Sequence, residues 1–384
     1  MRNTSISWTQ DSWNVTNGCS REMAEGAEQS GCGDPTGGGC YAERMAYRFS
    51  GPGGFYEGLV RMTPNGPRWT GKLRLEVDRL DEPLRWRDPR YVFVCSTSDP
   101  FHPKLKNDEI AAIYGVMAAA RRQTFQMLTK RARRRREWFA WLAEVCKYEN
   151  GGRGVSPAAY CFAMAQKYSD SKLLRRGDVV DAGLTASWPL PNVWEGASVE
   201  NMAAAESRVP DLLATPAALR WLSIEPQLEH IRMREEWMLG KFVECPDETN
   251  DEATDPCNGC PAIPNDGKVS GDYCGAIRGA RIDWIVNGCE SGPGARAAKA
   301  DWYRTLRDQC AQYGVLYFLK QAEHTPGEFI PIDALGRKCS ATLAIGAGDK
   351  SDTKGPGPTP DARIIERPML DGQYHLEMPS RYAA

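Results

Sequence analysis

The chain has 384 residues, of which 41% are hydrophobic, and a formal net charge of −2 at pH 7. This composition suffices for a large α/β barrel or for two domains, and the balanced charge excludes a global polycation that binds nucleic acid. No apolar run approaches the roughly 20 residues of a membrane span, and the first residues lack the apolar stretch of a signal peptide. We therefore expect a cytoplasmic protein without a membrane partner.

Short apolar runs that lead directly into polar residues recur along the chain. They predict strands near residues 4–16 and at 91–99, 124–131, 192–201, 219–226, 283–292 and 315–321. Apolar residues at helical spacing predict helices at 107–122 and 300–313. Because buried strands that alternate with helices form parallel sheets, we expect an α/β fold with a partial or full (β/α) barrel.

The barrel is expected to span residues 1–340. An insertion at 241–280, rich in Cys, Pro, Asp and Gly, interrupts it, and residues 341–384 form a C-terminal extension. The sequence has no internal repeat at a fixed period and no long low-complexity tract.

Polar side chains stand at the end of almost every predicted strand. The carboxyl ends of barrel strands carry the chemistry in this architecture. Strand-to-loop polarity alone explains a Ser or an Asp, but it explains Glu225, Glu290 and Lys320 together poorly. The full set is Ser96, Thr97, Ser98, Asp99, Lys130, Arg131, Ser198, Glu200, Asn201, Glu225, Cys289, Glu290, Ser291, Lys320 and Gln321.

Cys19, Cys32 and Cys40 lie in glycine-rich loops at the spacing C-x12-C-x7-C. Clustered cysteines in a reducing compartment indicate metal binding or catalysis. A structural zinc takes four ligands, whereas three thiolates suit a [4Fe–4S] cluster with one iron open to another ligand. Zinc with a fourth ligand such as His102 is the alternative.

A second cysteine group lies in the insertion. Cys245, Cys257, Cys260 and Cys274 follow the spacing C-x11-C-x2-C-x13-C, which predicts a four-thiolate site for zinc or for an auxiliary iron–sulfur cluster. By contrast, isolated cysteines are expected to be small buried side chains. These are Cys146, Cys161, Cys310 and Cys339.

A basic run covers Lys130, Arg131 and Arg133–Arg136. A solvated helix face is the default interpretation of such a run. Its position directly after a predicted strand also permits contact with a phosphate backbone, with the Arg/Trp pairs near residues 68 and 86 stacking on bases.

Several segments together carry a resemblance to a known family. They include ISWTQDSWNVTNGCS, CYAERM, YVFVCSTSDPFH, FQMLTKR, NVWEGASVEN, LRWLSIEP and DWIVNGCESGPGARAAKADW. The sequence resembles a family of phage and prophage proteins, described only as a phage gene-product domain of unknown function, with a barrel like that of radical S-adenosylmethionine (SAM) enzymes. The family's cysteines lie closer together, and here the inserts EMAEGAEQSG and GDPTGGG lengthen both gaps. If a phage encodes the chain, its location is the host cytoplasm.

The resemblance implies a role for each group of residues. Cys19, Cys32 and Cys40 would hold a [4Fe–4S] cluster whose free iron binds the methionyl group of SAM. An electron-donating reductant would be a partner. The implied cofactor-binding residues are Ser96, Ser98, Asp99, Ser198, Glu200, Asn201 and Glu290. Positions at strand ends give Lys130, Glu225, Cys95 and Cys289 as candidate catalytic residues. The two thiols could face the barrel interior and donate a hydrogen atom, but burial without function is the favoured interpretation of each.

We therefore expect a radical SAM isomerase or mutase. The substrate expected from the resemblance and the arginine run is a base in phage DNA, namely an amino-acid-modified thymine that is rearranged. A repair-type lyase acting on a base is the alternative within the same class. A non-catalytic, zinc-bound nucleic-acid-binding protein is the alternative from another class.

Overall fold

A computed structural model shows how these segments are arranged. It describes residues 4, 6–22, 24–25, 30–32, 40–240, 280–290, 296, 298–323, 329–330, 364–366, 369–371 and 373–380. The α-helices among these residues are α1 (Tyr41–Arg48), α2 (Asn107–Ala119), α3 (Ala132–Gly152), α4 (Pro157–Tyr168), α5 (Gly177–Leu184), α6 (Met202–Leu213), α7 (Glu235–Leu239) and α8 (Ala300–Tyr313).

The strands are mostly short. They are β1 (Asp11–Trp13), β2 (Thr16–Asn17), β3 (Val60–Thr63), β4 (Gly66–Trp69), β5 (Arg74–Leu75), β6 (Tyr91–Val94), β7 (Thr124–Thr129), β8 (Val193–Ser198), β9 (Leu219–Ile224), β10 (Trp284–Gly288), β11 (Leu316–Glu323), β12 (Phe329–Ile330), β13 (Ile364–Glu366), β14 (Met369–Leu370) and β15 (Gln373–Tyr374).

The main sheet has the order β1-β6-β7-β8-β9-β10-β11-β13. The first seven strands are parallel, and β13 pairs antiparallel with β11. Each of the seven predicted strands is one of these parallel strands, and the two predicted helices are α2 and α8. The fold is therefore a mixed α/β architecture with a partial β/α barrel, as the strand pattern predicts.

The sheet curls around an inner aromatic cluster of Trp8, Phe93, Trp194, Trp221, Trp284, Val286 and Phe318. These residues come from five strands of the sheet and from the chain before β1. The Trp8 ring lies 4.8 Å from Phe93 and 5.1 Å from Trp221, measured between ring centroids. Phe93 of β6 and Phe318 of β11 share this cluster although four strands separate them, which requires a strongly curved sheet.

Helices cover the outer face of the sheet. Residues Ile110–Ala119 of α2 are buried because α2 lies between the sheet and α4. The two helices pack closely at Gly115, where a Cβ atom would meet the carbonyl oxygen of Cys161 at 2.1 Å. Gly115 is thus required by packing, and a larger residue there would push α4 away. None of the described helices is long and apolar enough to cross a bilayer.

Part of the predicted C-terminal extension packs on the barrel. Leu376 forms an isolated bridge with Phe318, and the indole nitrogen of Trp284 donates to the carbonyl oxygen of Glu377 at 2.9 Å. Leu376 and Met378 pack against the inner aromatic cluster. We call residues 373–380 the C-terminal seal, because they cover the inner aromatic cluster with apolar side chains.

Candidate metal centre

Four ionisable side chains face the inside of the barrel mouth. Successive residues of a strand point to opposite faces, so even separations from inner-cluster residues keep the same face. Glu200 is six residues after Trp194, Glu225 is four after Trp221, and Lys320 is two after Phe318. Lys130 likewise follows Leu128, which packs against that cluster.

These four side chains form two ion pairs. The Lys130 ammonium lies 2.9 Å from Glu200 Oε1, and the Lys320 ammonium lies 2.8 Å from Glu225 Oε1. Glu225 Oε2 also accepts a hydrogen bond from the indole of Trp8 at 3.2 Å. The mouth is therefore charged but locally neutral, and its floor is aromatic.

Glu200 is buried, and groups within the chain occupy both of its oxygens. Oε1 accepts from Lys130, from Ser30 Oγ at 3.1 Å and from the Gly31 amide at 3.0 Å, while Oε2 accepts from Arg208 at 2.8 Å. Burial favours the neutral carboxyl, but Lys130 and Arg208 outweigh it and lower the pKa of Glu200 to about 2. Glu200 is thus an anion that holds the Ser30–Cys32 segment on the mouth.

Asp99 forms a similar centre at the end of β6. It accepts from Thr129 Oγ1 at 2.7 Å, from the Phe101 amide at 2.9 Å and from Arg131 Nη1 at 2.8 Å. Burial again opposes ionisation, but Arg131 and these hydrogen bonds hold the pKa of Asp99 below its usual range. The other guanidinium nitrogen of Arg131 donates to the carbonyl and the hydroxyl of Ser20, directly after Cys19.

Glu43 is the third buried carboxylate near the cysteines. It lies in the first turn of α1, which begins directly after Cys40. Arg21 Nη2 lies 2.9 Å from one oxygen, and the Trp69 amide donates to the other at 3.0 Å. Glu43 therefore joins the segment after Cys19 to the helix after Cys40.

The three predicted cysteines lie together beside these carboxylates. Burial raises the pKa of the Cys19 thiol, and Asp99, Cys32 and Cys40 add to the rise. Burial and the nearby Cys32 likewise raise the pKa of Cys40 to about 11. A metal must therefore displace their protons on binding.

Among the described residues, no three His, Cys, Asp or Glu side chains are grouped to share one metal ion. The thiolates of a cluster bind different irons and so need a wider arrangement. The three thiols at the barrel mouth have the number and the chemistry that a [4Fe–4S] cluster with one open iron requires.

His102 does not offer a fourth ligand. Its Nδ1 accepts from the Lys104 amide at 3.2 Å, so the proton of the neutral ring is on Nε2, which lies 2.9 Å from Ser20 Oγ. Burial and Arg131 lower the pKa of His102 to about 4. Both ring nitrogens are used within the chain, which disfavours the zinc alternative built on this histidine.

Cys95 and Cys289 do not face the interior, and both are buried, as the favoured interpretation expects. Cys95 belongs to the apolar cluster outside the sheet that contains Val92 and Val94, and Cys289 belongs to the corresponding cluster around Ile285. Cys95 has a positive φ of 59°, which ends the strand alternation and turns its side chain outward. Neither thiol has a geometry that supports hydrogen-atom donation to a substrate.

The predicted cofactor-binding residues mostly make contacts within the chain. Asp99 and Glu200 hold the cysteine segments, and their predicted contact with SAM stays a prediction. Asn201 caps α6 by accepting from the Ala204 amide at 2.8 Å. Ser96 Oγ donates to Asn14 Oδ1, and Ser98 Oγ donates to the carbonyl oxygen of Thr16. Arg208 donates to the carbonyl oxygen of Ser198, and Arg296 donates to both carboxylate oxygens of Glu290.

Lys130 pairs with Glu200, and its predicted catalytic role stays a prediction. Glu225 keeps the position expected of a catalytic residue, inside the mouth and partly exposed. Ser291 and the four cysteines of the insertion, Cys245, Cys257, Cys260 and Cys274, lie outside the described residues, as does Cys339. The predicted second metal site therefore stays a prediction, while Cys146, Cys161 and Cys310 are buried as expected.

The arginine run does not form one basic surface. The side chain of Arg135 is completely buried and lies 3.3 Å from Glu195, and Arg131 is buried against Asp99. Arg133 pairs with Glu137 and Arg136 with Asp211. Trp138 and Phe139 are in the core. This division was not predicted from the sequence, in which the arginines form one run. It arises because a helix directs consecutive residues to different sides of its axis.

Sequence reasoning missed Ser30, Glu43 and Arg208. Ser30 contacts a carboxylate that is 170 residues away in the chain. The sequence around Ser30 does not indicate such a contact. Glu43 could have been found, because it lies three residues after the predicted ligand Cys40.

The fold and the mouth define a class of protein, a partial β/α barrel with three cysteines at the carboxyl end of its parallel sheet. Over residues 3–379 the chain matches the model of the family described as "Protein of unknown function (DUF5131)", and it belongs to that family. No curated protein and no solved structure gives a significant match to the chain.

Proposed function

We propose that the chain is a radical SAM enzyme in which Cys19, Cys32 and Cys40 hold a [4Fe–4S] cluster. The observation that carries the proposal is that the segments of Cys19, Cys32 and Cys40 all lie at the carboxyl ends of a curled parallel sheet, where they are linked to Asp99, Glu200 and Glu43. When bound, such a cluster supplies the electron that cleaves SAM to a 5′-deoxyadenosyl radical, and a separate reductant must provide that electron.

The residues of the mouth have roles that suit this chemistry. The first amides of α1 follow Cys40 directly, and a helix N-terminus favours negative charge there. The aromatic floor excludes water from below. Glu225, oriented by Lys320 and Trp8, can accept a hydrogen bond from a substrate that lies in the mouth. We therefore propose Glu225 and Lys320 as the substrate-contacting pair.

The metal is tested by single Cys→Ala changes at positions 19, 32 and 40. Each variant, purified without oxygen, is expected to lose bound iron and the cleavage of SAM to 5′-deoxyadenosine, because each thiolate binds its own iron. Cys146→Ala is the matched control, since this thiol is buried on α3 and should leave both properties intact. Wild-type protein that binds zinc and no iron would contradict the proposal and favour the non-catalytic zinc-bound alternative.

For the substrate we propose a nucleic-acid base, with rearrangement of an amino-acid-modified thymine as the reaction and lyase-type base repair as the second candidate. The support comes from the segment after Cys40, where Tyr41, Tyr47, Phe49 and Phe55 are exposed. Phe49 and Phe55 line one surface depression together with Arg48. Exposed rings beside arginines are typical of surfaces on which bases stack.

This proposal is tested by the binding of a fluorescent single-stranded oligothymidylate. The double change Phe49→Ala and Phe55→Ala is expected to weaken binding at least about tenfold, because each stacked base contributes ~1–3 kcal/mol. Tyr148→Ala is the matched control, since this ring on α3 is 70% exposed but lies outside the segment. Equal affinities for the wild type and the double variant would argue against a nucleic-acid substrate at this surface.

A further inference from the structure

Three buried carboxylates lie beside the cysteine site, and each is linked to one or two of the cysteine-bearing segments. Asp99, Glu200 and Glu43 are 6%, 1% and 1% exposed. We infer that they are positioning residues that set the three thiols in place before a metal binds. The inference rests on the proposed function, but it concerns the metal-free chain and can be tested there.

Glu200 holds the segment of Cys32. It accepts from the Gly31 amide at 3.0 Å, and it shares the Ser30 hydroxyl proton, at 3.1 Å, with the carbonyl oxygen of Glu22 at 2.7 Å. The oxygen of the same hydroxyl accepts from the Cys32 amide at 3.0 Å. Two cations, Lys130 and Arg208, keep the carboxylate ionised and fixed. Hydrogen bonds to an ionised acceptor are the stronger kind, so the Cys32 backbone is tied to the end of β8.

Asp99 holds the segment of Cys19 through Arg131. One guanidinium nitrogen of Arg131 bonds Asp99 at 2.8 Å, and the other bonds the Ser20 hydroxyl at 3.0 Å and its carbonyl oxygen at 3.1 Å. The planar fork of an arginine fixes both partners in one geometry. The residue after Cys19 is therefore tied to the ends of β6 and β7.

Glu43 holds Cys40 and also closes the set. It lies within α1, three residues after Cys40, and its carboxylate is paired with Arg21 of the Cys19 segment. The backbone amide of Trp69 fixes the same carboxylate from β4. The position of Cys40 is thus coupled to the position of Cys19 through a buried ion pair.

Local structure alone does not order these thiols. Between β2 and α1 the described residues form no helix and no strand. A chain segment without regular structure loses much conformational entropy when its ends and side chains are fixed. Contacts to the rigid strand ends offset that loss, and sites held in this way by surrounding hydrogen bonds are preorganised for their ligand.

The test measures alkylation by iodoacetamide of the full-length chain, freed of metal by a chelator, with mass spectrometry at each cysteine. Glu200→Gln and Ser30→Ala are each expected to speed alkylation of Cys32 about tenfold while Cys19 and Cys40 change less, because a hydrogen bond to a charged group no longer restrains the segment. Ser30→Ala removes no charge, so its effect reports position and not thiol acidity.

Glu195→Gln is the matched control. Glu195 is also a buried carboxylate of β8 paired with an arginine, but it contacts Arg135 and Tyr114 on the outer side of the sheet. Its replacement is expected to leave the alkylation of Cys32 unchanged. Unchanged Cys32 reactivity in either Glu200→Gln or Ser30→Ala, or an equal increase in the control, would overturn the inference. Because no metal is present, a wild-type chain that binds no iron would sink the proposed function without affecting this result.

Discussion

At the scale of single residues, Glu200 explains how a carboxylate remains charged inside a barrel mouth. An isolated buried anion is strongly unfavourable, and it becomes tolerable when cations and hydrogen bonds replace its water. Lys130 and Arg208 provide the cations, and Ser30 and Gly31 provide two further donors. The stability of the cysteine segment is therefore linked to the ionisation of one side chain.

Glu200 is expected to make stability depend on acid. Its pKa is about 2 in the folded chain against an ordinary value of 4.5. Its contribution is therefore complete above about pH 4.5 and is lost as the pH falls toward 2. The difference corresponds to roughly 3 kcal/mol at neutral pH. In urea titrations at a series of pH values, the wild type should lose free energy of unfolding more steeply than Glu200→Gln below about pH 4.5. Parallel pH dependences would contradict this linkage.

The same scale shows what a sequence can indicate about a site. Polarity at strand ends correctly predicted where Asp99, Glu200 and Glu225 lie. It did not predict their partners, because Ser30 and Arg131 reach them across long sequence separations. The alternation of side chains along a strand did not predict the orientation of Cys95 either. Its left-handed backbone turns the side chain to the outer face of the sheet, whereas alternation would place it on the inner face.

At the scale of elements, α3 converts a run of arginines into several separate environments. Arg135 faces the sheet, where its guanidinium donates to the carbonyl oxygen of Gly196 at 2.8 Å and lies beside Glu195. Arg133 lies on the exposed side, where its side chain is 78% exposed. Residues two apart on a helix lie about 200° apart around the axis, so Arg133 faces solvent while Arg135 faces the sheet.

Replacing Arg135 and Arg133 separately should reveal this difference. Arg135→Met leaves Glu195 as a buried charge without its cation, and we expect it to lower the free energy of unfolding by about 3–5 kcal/mol. Arg133→Met on the exposed face should change it by less than about 1 kcal/mol. Urea unfolding of both variants measures the comparison. Similar losses for the two would show that burial does not separate their contributions.

At the scale of the whole molecule, segments before β1 and after β13 complete the interior of the barrel. Trp8 fills the interior from the N-terminal side, and the C-terminal seal adds Leu376 and Met378 to the same cluster. The strands themselves were predictable because each is an apolar run followed by polar residues. The C-terminal seal was not, because its short segments have neither a long apolar run nor a clear period. Their position is explained by the inner aromatic cluster that they cover.

Removing residues 373–384 should destabilise the barrel. Two apolar side chains are lost, and their burial alone corresponds to about 3–6 kcal/mol of unfolding free energy. Several hydrogen bonds to the barrel are lost as well, among them those of Trp284 and Tyr317 to Glu377 and that of Leu319 to His375. We also expect tryptophan fluorescence to shift to longer wavelength as water reaches the aromatic interior. Tyr374→Ala is the control, because this ring of the same segment is 42% exposed. A truncated chain with the wild-type urea midpoint would show that the seal contributes little.

The three buried carboxylates have a consequence for how such proteins can be found. If distant acids fix the geometry of the thiols, the number of residues between the thiols is free to change, and insertions there need not affect the centre. A search for a short cysteine motif then overlooks chains of this kind. A more reliable sequence pattern combines three cysteines near the first strand, an acidic residue shortly after the last cysteine, and acidic residues at the ends of two later strands. Such a pattern depends on the residues that position the thiols and not on the spacing between the cysteines.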